Sequence, residues 1–250
     1  MLKISTISVF PDIFQCLNYG RSAIAQSRGV VMDHINISHH STRPDGRVDD
    51  RPFGGGPGMV IQADILHNAL TALRSTSPDV HIIIPDPKGR PFTQKEAQRL
   101  SLSPHLVFIC GRYEGLDQRF LDTTPHESFS VFDAISSGGE IPSALMIDAI
   151  IRELDNVLGN PQSLKEDSFQ NNRLDHAHYT RPWDWQSITP PDILRSGHHK
   201  NVMRWRNQQS IGTTWLHRPD LIIGQKLKPE DIENMMIFLN QQEFSHERDS

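Results

Sequence analysis

HIIIPDPKGRPFTQKEAQRLSLSPHLVFICGRYEG, residues 81–115, holds two apolar runs separated by an amphipathic segment. His81–Ile84 and Leu106–Cys110 lack the polar alternation of a half-exposed strand, so they read as strands buried on both faces. Thr93–Leu100 between them reads as a helix, with Thr93 placed to cap it. Each strand runs into a turn rich in Gly or Pro, PDPKGR after Ile84 and GRYEG after Cys110. Strand, helix and strand of this kind form a parallel pair.

The same alternation extends outward on both sides. Ile4–Phe10 reads as a strand, Ile13–Gln26 as a helix, and Met32–Ile37 as a strand. Ala63–Leu73 is predicted helical, with Ile65, Leu66, Ala69, Leu70 and Leu73 on one face. Beyond residue 115, Ser128–Ile135 is a third buried strand, SSGGEIP (Ser136–Pro142) a loop, and Leu145–Leu158 a long amphipathic helix. The fold class is therefore α/β, a parallel sheet covered on both faces, whose ligand site lies at the carboxyl ends of the strands. All three turns fall at those ends. Loops forced by Gly and Pro to expose main-chain amides and carbonyls make a pocket suited to an adenine-containing ligand. Neither a GxxxxGK[ST] phosphate loop nor a GxGxxG dinucleotide turn is present, so the ligand is not ATP in a Walker site or a dinucleotide on a Rossmann turn.

DDRPFGGGPGM, Asp49–Met59, packs four glycines and two prolines into a stretch that neither helix nor strand would tolerate. It reads as a loop shaped for close backbone approach, with charge at its rim. The chain has 250 residues, 36% of them hydrophobic, enough for a large core plus a smaller domain. No run approaches the roughly 18 apolar residues of a membrane span, and the opening MLKISTISVF reads as a strand rather than a signal peptide. With two distant cysteines, Cys16 and Cys110, neither a disulfide framework nor a zinc ribbon is expected, and the location predicted is cytoplasmic. Cys110 should pack at a strand end.

Net charge is −5, so global electrostatics does not announce a nucleic-acid binder. Its distribution does. Between Arg173 and Arg218, arginine, lysine and histidine exceed aspartate, glutamate is absent, and all of the tryptophans (Trp183, Trp185, Trp205, Trp215) are interleaved. Cations for phosphates beside aromatics for bases compose an RNA-facing module, with the tryptophans also expected to supply part of a helical core. Gly159–Arg173 is polar and aperiodic, a linker. From Pro190 the chain reads as helical, fraying over Gln241–Ser250. Arg195, His198, His199, Lys200, Arg204 and Arg206 are predicted to face phosphates. The pairs His39-His40 and His198-His199 point apart on any regular element, so no metal site is assigned.

DDRPFGGGPGM, CGRYEG (110–115), SGGEIP (137–142), EDSF (166–169), HYTRP (178–182) and WRNQQSIGTTWLHRPDL (205–221) occur in this order along the chain. Together they resemble the bacterial tRNA (guanine-N1-)-methyltransferases, the TrmD family. The resemblance implies a SPOUT fold, a parallel sheet tied in a deep trefoil knot, plus a small C-terminal helical domain. Its domains would be a catalytic domain over 1–160, a linker over 161–173, and a tRNA-binding domain over 174–250. Periodicity alone gives no hint of a knot.

The implied reaction is methylation of N1 of guanosine 37 in tRNA, with guanosine preferred at position 36 and S-adenosylmethionine as donor. The enzyme would be a homodimer with composite active sites gripping the anticodon stem-loop, its linker ordering over the partner's site. The cofactor would contact Pro87, Gly111, Tyr113, Glu114, Val131, Phe132, Asp133, Ala134, Ile135, Ser136, Gly138, Gly139 and Pro142. SVFDAISSGGEIP departs from the family pattern at Phe132 and Ala134, where members commonly have glycine and tyrosine. Asp167 corresponds to the general base and Arg152 to the arginine that stabilises charge at guanine O6. Asp49, Arg51 and Gly58 correspond to the wall for the target and its 5′ neighbour; Arg181, His198, Lys200, Arg204 and Arg206 would bind RNA. Magnesium dependence is also implied, though the sequence offers no carboxylate cage. A SPOUT enzyme for another RNA and a non-catalytic nucleotide- or RNA-binding module are the alternatives.

Overall fold

The computed structural model describes residues 2–154 and 167–246. It divides into two compact units, Met1–Gly159 and Asn160–Ser250. In the first, strands β1 (Lys3–Ser8), β2 (Val31–Asn36), β5 (His81–Pro91), β6 (His105–Ile109) and β7 (Glu127–Ser130) form one sheet in the order β2-β1-β6-β5-β7. Every pairing in it is parallel. A separate antiparallel pair joins β3 (Asp49–Asp50) to β4 (Val60–Ile61). The helices are α1 (Gly20–Ser27), α2 (Ala63–Thr76), α3 (Gln94–Ser101), α4 (Gln118–Thr123) and α5 (Glu140–Arg152).

The sheet is buried on both faces because its strands alternate between two apolar layers. Ile83, Leu106 and Phe108 point into one, packing with Ala97 and Leu100 of α3 and Met146, Ile147, Ile150 and Ile151 of α5. Ile82, Ile84, Val107 and Ile109 point into the other, against Ile65, Leu66, Ala69, Leu70 and Leu73 of α2 and Phe120 of α4. A side-chain period of two thus turns uniformly apolar runs into two-sided burial. Cys110 is buried at the end of β6.

Several elements depart from the sequence expectation. The helix predicted over Ile13–Gln26 is split: a 3₁₀ stretch, Pro11–Asn18, precedes an extended Tyr19 and a Gly20 at φ +60°, and only then does α1 begin. Glycine accepts that left-handed backbone, and the helix cannot continue through it. Thr93 occupies the cap position of α3, but its side chain makes no capping bond. Strand β5 does not stop at Ile84. The chain leaves the sheet after Pro85 and rejoins it at Arg90, so that both residues pair with Phe129. A Cβ on Gly89 would lie 2.5 Å from the Phe129 nitrogen, so a side chain there would block the return. β7 ends at Ser130, well before Ile135, which is 82% exposed. Helix α5 begins at Glu140, so Glu140–Pro142 form its first turn rather than a loop, and it ends at Arg152. Of the predicted Leu145–Leu158 helix, residues 155–158 lie outside the described residues, as do 159–166 of the predicted linker.

The second unit is built on α6 (His199–His217) and α7 (Pro229–His246), which pack together. Gly212 of α6 lies under the Phe238 ring, where a Cβ would sit 2.0 Å from a ring carbon. Thr214 donates to the Ser210 carbonyl and accepts from the Leu174 amide, tying the incoming chain to α6. The tryptophans are divided: Trp183 and Trp205 are half-buried, the latter beside the His176 and Tyr179 rings, and none is fully buried. Ile211, Ile222 and Phe238 are buried, whereas Trp185 and Trp215 are exposed and the Arg195 guanidinium stacks 4.5 Å over Trp183. Helix α7 runs to His246, past the point where fraying was expected; residues 247–250 lie outside the described residues.

Two histidines couple the first unit to pH. His105 is buried and paired with Ser5 Oγ at 2.9 Å, and His34 is paired with Thr6 Oγ1 at 3.0 Å. Burial holds both below the ordinary value of 6.5; Lys3 adds to the depression at His105, and Asp33 opposes it at both. A histidine depressed in the folded state binds its proton more readily when unfolded, so its stabilisation is complete above 6.5 and is lost on acidification. Urea midpoints should therefore fall between about pH 7.5 and pH 5.5, and fall less in His105→Gln.

Candidate active site

A cavity of about 470 Å³ opens at the carboxyl ends of β5, β6 and β7. Its walls are the β5 excursion (85–88), the β6–α4 loop (111–116) and the β7–α5 loop. Main chain joins two of these walls: the Gly139 amide donates to the Gly111 carbonyl at 2.8 Å, and Arg112 bridges to Gly138. Arg112 holds them from the side, its Nε 3.0 Å from a carboxylate oxygen of Glu140 and its Nη1 donating to the Ser137 carbonyl. Glu140 is fully buried at the start of α5 and also accepts from Ser8 Oγ at 2.7 Å. A Cβ on Gly138 would fall 2.4 Å from Arg112, and one on Gly139 3.1 Å from Cys110 Cα. The glycines of SGGE thus make room for a buried ion pair. Sequence reading assigned no role to Arg112 or Glu140; the signal was an arginine and a glutamate set inside two glycine motifs.

Of the residues predicted to hold a cofactor, all but Asp133 line this cavity. Asp133 is exposed outside the lining. Tyr113 sits at φ +59°, turning the GRYEG backbone toward the opening. Cys110 is no nucleophile: burial pushes its thiol far up, and Sγ lies 3.3 Å from Ser143 Oγ. The cavity fits S-adenosylmethionine chemically. Ile84, Leu116, Leu121, Phe129 and Val131 offer an apolar slot for a flat base, three loops present main-chain polar groups, and Asp86 and Glu114 offer negative charge to a sulfonium.

The glycine loop docks on one wall of this cavity. Gly54, Gly55, Gly56 and Gly58 all have positive φ. The Glu114 amide donates to the Met59 carbonyl at 2.9 Å, and the Ile61 amide to the Gly115 carbonyl at 3.0 Å. A Cβ on Gly58 would lie 2.2 Å from the Glu114 carboxylate. Asp49 is buried at the foot of the loop, 3.4 Å from Arg47 Nε, and Arg51 is exposed. Two motifs separated by fifty residues thus form one surface.

Residues 2–224 match the model of the family described as tRNA (Guanine-1)-methyltransferase TrmD. The chain belongs to this family. Among its relatives are proteins named tRNA (guanine-N(1)-)-methyltransferase from Neisseria meningitidis serogroup C (strain 053442), 39% identical over 92% of this chain and 94% of the relative. Those of Staphylococcus haemolyticus (strain JCSC1435) and Xylella fastidiosa (strain 9a5c) are 39% and 40% identical, each over 92% of this chain and over 94% and 90% of their own length.

The remaining TrmD-type residues are distributed over both units. Arg152 ends α5, exposed, in the first. Asp167, half-buried in a turn, belongs to the second. Arg181, His198, Lys200 and Arg204 are exposed there and Arg206 is half-buried; Arg204 also donates to Glu233 at 2.7 Å. His198 caps α6 by position and Lys200 lies in its first turn. Among the described residues one group has metal-ligating geometry, Asp175, His176 and His178. Its carboxylate is shared by the two imidazoles at 2.7 Å each, which accounts for the cluster without an ion.

Gly58→Ala should force Glu114 out of the cavity wall and strain the backbone by about 1–2 kcal/mol. The expected result is weakened S-adenosylmethionine binding by calorimetry, with a fall in melting temperature of about 2–8 °C from the strain.

Proposed function

We infer that this chain transfers a methyl group from S-adenosylmethionine to N1 of guanosine 37 in tRNA. The observation that carries this reading is the three-loop cavity with the glycine loop docked on its wall, in a chain that matches the family over residues 2–224. The cofactor would be held by the cavity residues named above and supplies an electrophilic methyl group. Main-chain contact dominates there, so Phe132 and Ala134 alter packing around the base rather than the binding mode. Arg112 and Glu140 keep the walls in place.

Guanine N1 carries a proton that must leave as the new bond forms. Asp167 is the general base that accepts it, and Arg152 stabilises the negative charge developing at O6. We assign a site completed when RNA is bound and across a dimer, as the family resemblance implies. Asp49 reads guanosine 36, accepting from N1–H and the exocyclic amine, with Arg51 and Gly58 beside it. Arg181, His198, Lys200, Arg204 and Arg206 contact phosphates of the anticodon stem-loop. We assign domains over 1–160 and 174–250, a linker over 161–173, and the family's trefoil knot at the carboxyl-terminal part of the sheet. Support for the knot comes from family membership; the sheet order β2-β1-β6-β5-β7 is compatible with it.

Homodimerisation finds support in an exposed apolar group. Phe10, Tyr19, Ile24, Ile141 and Leu145 are exposed on or beside the 3₁₀ stretch, α1 and α5, elements that contact one another. No helix among the described residues is long and apolar enough to cross a membrane, and we place the enzyme in the cytoplasm. Magnesium finds no oxygen cage among the described residues; the Asp175–His176–His178 group has two imidazoles where magnesium prefers oxygen.

Radiolabelled methyl from S-adenosylmethionine should enter a tRNA with guanosine at 36 and 37 and not one with adenosine at 37. Asp167→Ala should lower the rate by about 10²–10⁴-fold while cofactor and tRNA affinity persist; full activity in this variant would place the base elsewhere. In sedimentation, Leu145→Glu should shift the dimer toward monomer and reduce turnover with it.

A further inference from the structure

A second and larger cavity, about 870 Å³, lies beside the same glycine loop. It is bounded by Asp50–Phe53 of that loop, the start of α2, and the Asp117–Thr123 region of α4; Gln118 alone is shared with the cofactor cavity. No residue of it has a part in the methyl-transfer chemistry, and of the residues assigned to RNA only Arg51 lines it.

We propose that this cavity binds one further unpaired nucleobase of the substrate RNA, neither the target guanosine nor its 5′ neighbour, stacked on Phe53 and hydrogen-bonded by Gln62. The inference rests on the RNA-methyltransferase reading. Phe53 is 95% exposed at the tip of the loop, leaving a whole aromatic face to solvent. Aromatic faces displayed in this way are the usual platform for an unstacked base. The side-chain oxygen of Gln62, at the foot of α2, is buried and has no hydrogen-bond partner. A buried acceptor without a donor is costly, and a base carrying an exocyclic amine supplies one.

The charge pattern selects a base over a phosphate. Asp50, Asp64 and Asp117 all line the cavity, repelling a phosphate from its interior and favouring amine donors. Arg119 is held by Asp117 in a bidentate pair at 3.0 and 2.7 Å, and its guanidinium stands 5.9 Å from the Phe53 ring centre. Arg119 is thus a fixed cation beside the stacking face, and Arg51 is left to donate to a flanking phosphate at the rim. An exocyclic amine has two N–H donors, one for Gln62 and one for a neighbouring carboxylate, where the pairing edge of uracil has N3–H alone; the site therefore takes adenine, cytosine or guanine in preference to uracil.

The test uses full-length enzyme and anticodon stem-loops carrying an abasic residue at each single-stranded position other than 36 and 37. One position should weaken wild-type binding by about tenfold. Phe53→Ala should weaken the intact RNA by the same factor and add nothing to the loss at that position. Gln62→Leu should remove the discrimination against uracil there. Because Phe53 is exposed, its truncation should leave cofactor affinity and melting temperature unchanged, which guards against a folding artefact. Binding by Phe53→Ala equal to wild type, or additive losses at every position, overturns the proposal. So does a changed monomer–dimer equilibrium in Phe53→Ala, which would assign the ring to a subunit contact. Methylation of guanosine 37 with no coupling to Phe53 sinks this inference alone. Coupling without methylation sinks the proposed reaction and keeps the base site; failure of wild type to bind the stem-loop counts against both.

Discussion

The Arg112–Glu140 ion pair is the constraint on which the cofactor cavity depends. Glu140 is fully buried at the start of α5, and Arg112 rises from the loop after β6 to meet it. Burying two charges costs several kcal/mol unless geometry and further hydrogen bonds compensate. Here Ser8 Oγ and the Ser137 carbonyl supply those bonds, drawing in the end of β1 and the loop after β7. Breaking such a pair leaves an uncompensated charge at a cost of about 3–5 kcal/mol. The pair ties the loop after β6, the end of β1 and the loop after β7 to the start of α5. Arg112 also covers the Phe10 ring at 4.7 Å, so the clamp continues into exposed apolar surface.

The glycines act in two distinct ways around this clamp. In the Asp49–Met59 loop they permit left-handed backbone, which bends the chain without regular structure. At Gly138 and Gly58 the reason is volume: a methyl group would occupy the space taken by Arg112 or Glu114. At Gly89 it is the backbone of β7 that would be struck, so glycine there lets β5 leave the sheet and return. The excursion raises Pro85–Lys88 into the cavity wall while the strand keeps its pairing. Each glycine motif visible in the sequence is thus one side of a contact made with a different motif.

Much of the architecture was legible in the residues. The runs at His81–Ile84 and Leu106–Cys110 fall on strands buried on both faces, and the apolar stripe of α2 faces the core as its spacing requires. Boundaries were legible where a residue's own conformation sets them and illegible where packing does. The early end of β7 depends on where its pairing with β5 stops, and the left-handed Gly20 is a conformation that glycine permits without requiring; the pattern of apolar residues carries no record of either. Tryptophan was expected to supply part of the core of the second unit, and composition does not say which ring is covered: Trp183 and Trp205 are half-buried, Trp185 and Trp215 exposed. At the helix pair it is the Phe238 ring that packs on Gly212, while Trp185 and Trp215 stay exposed.

By itself the sequence determined the α/β class, the parallel sheet, the placement of three glycine or proline turns at one end of it, and the family. These follow from local period and from motifs many residues long. Only the tertiary structure decided that Arg112 reaches Glu140, that Gly58 leaves room for Glu114, that Asp133 is exposed outside the cofactor cavity's lining, and that Phe53 and Gln62 flank a cavity of their own. Such facts are distances between residues far apart in the chain, set by how strands and loops are brought together, and a linear pattern of residue types does not encode them.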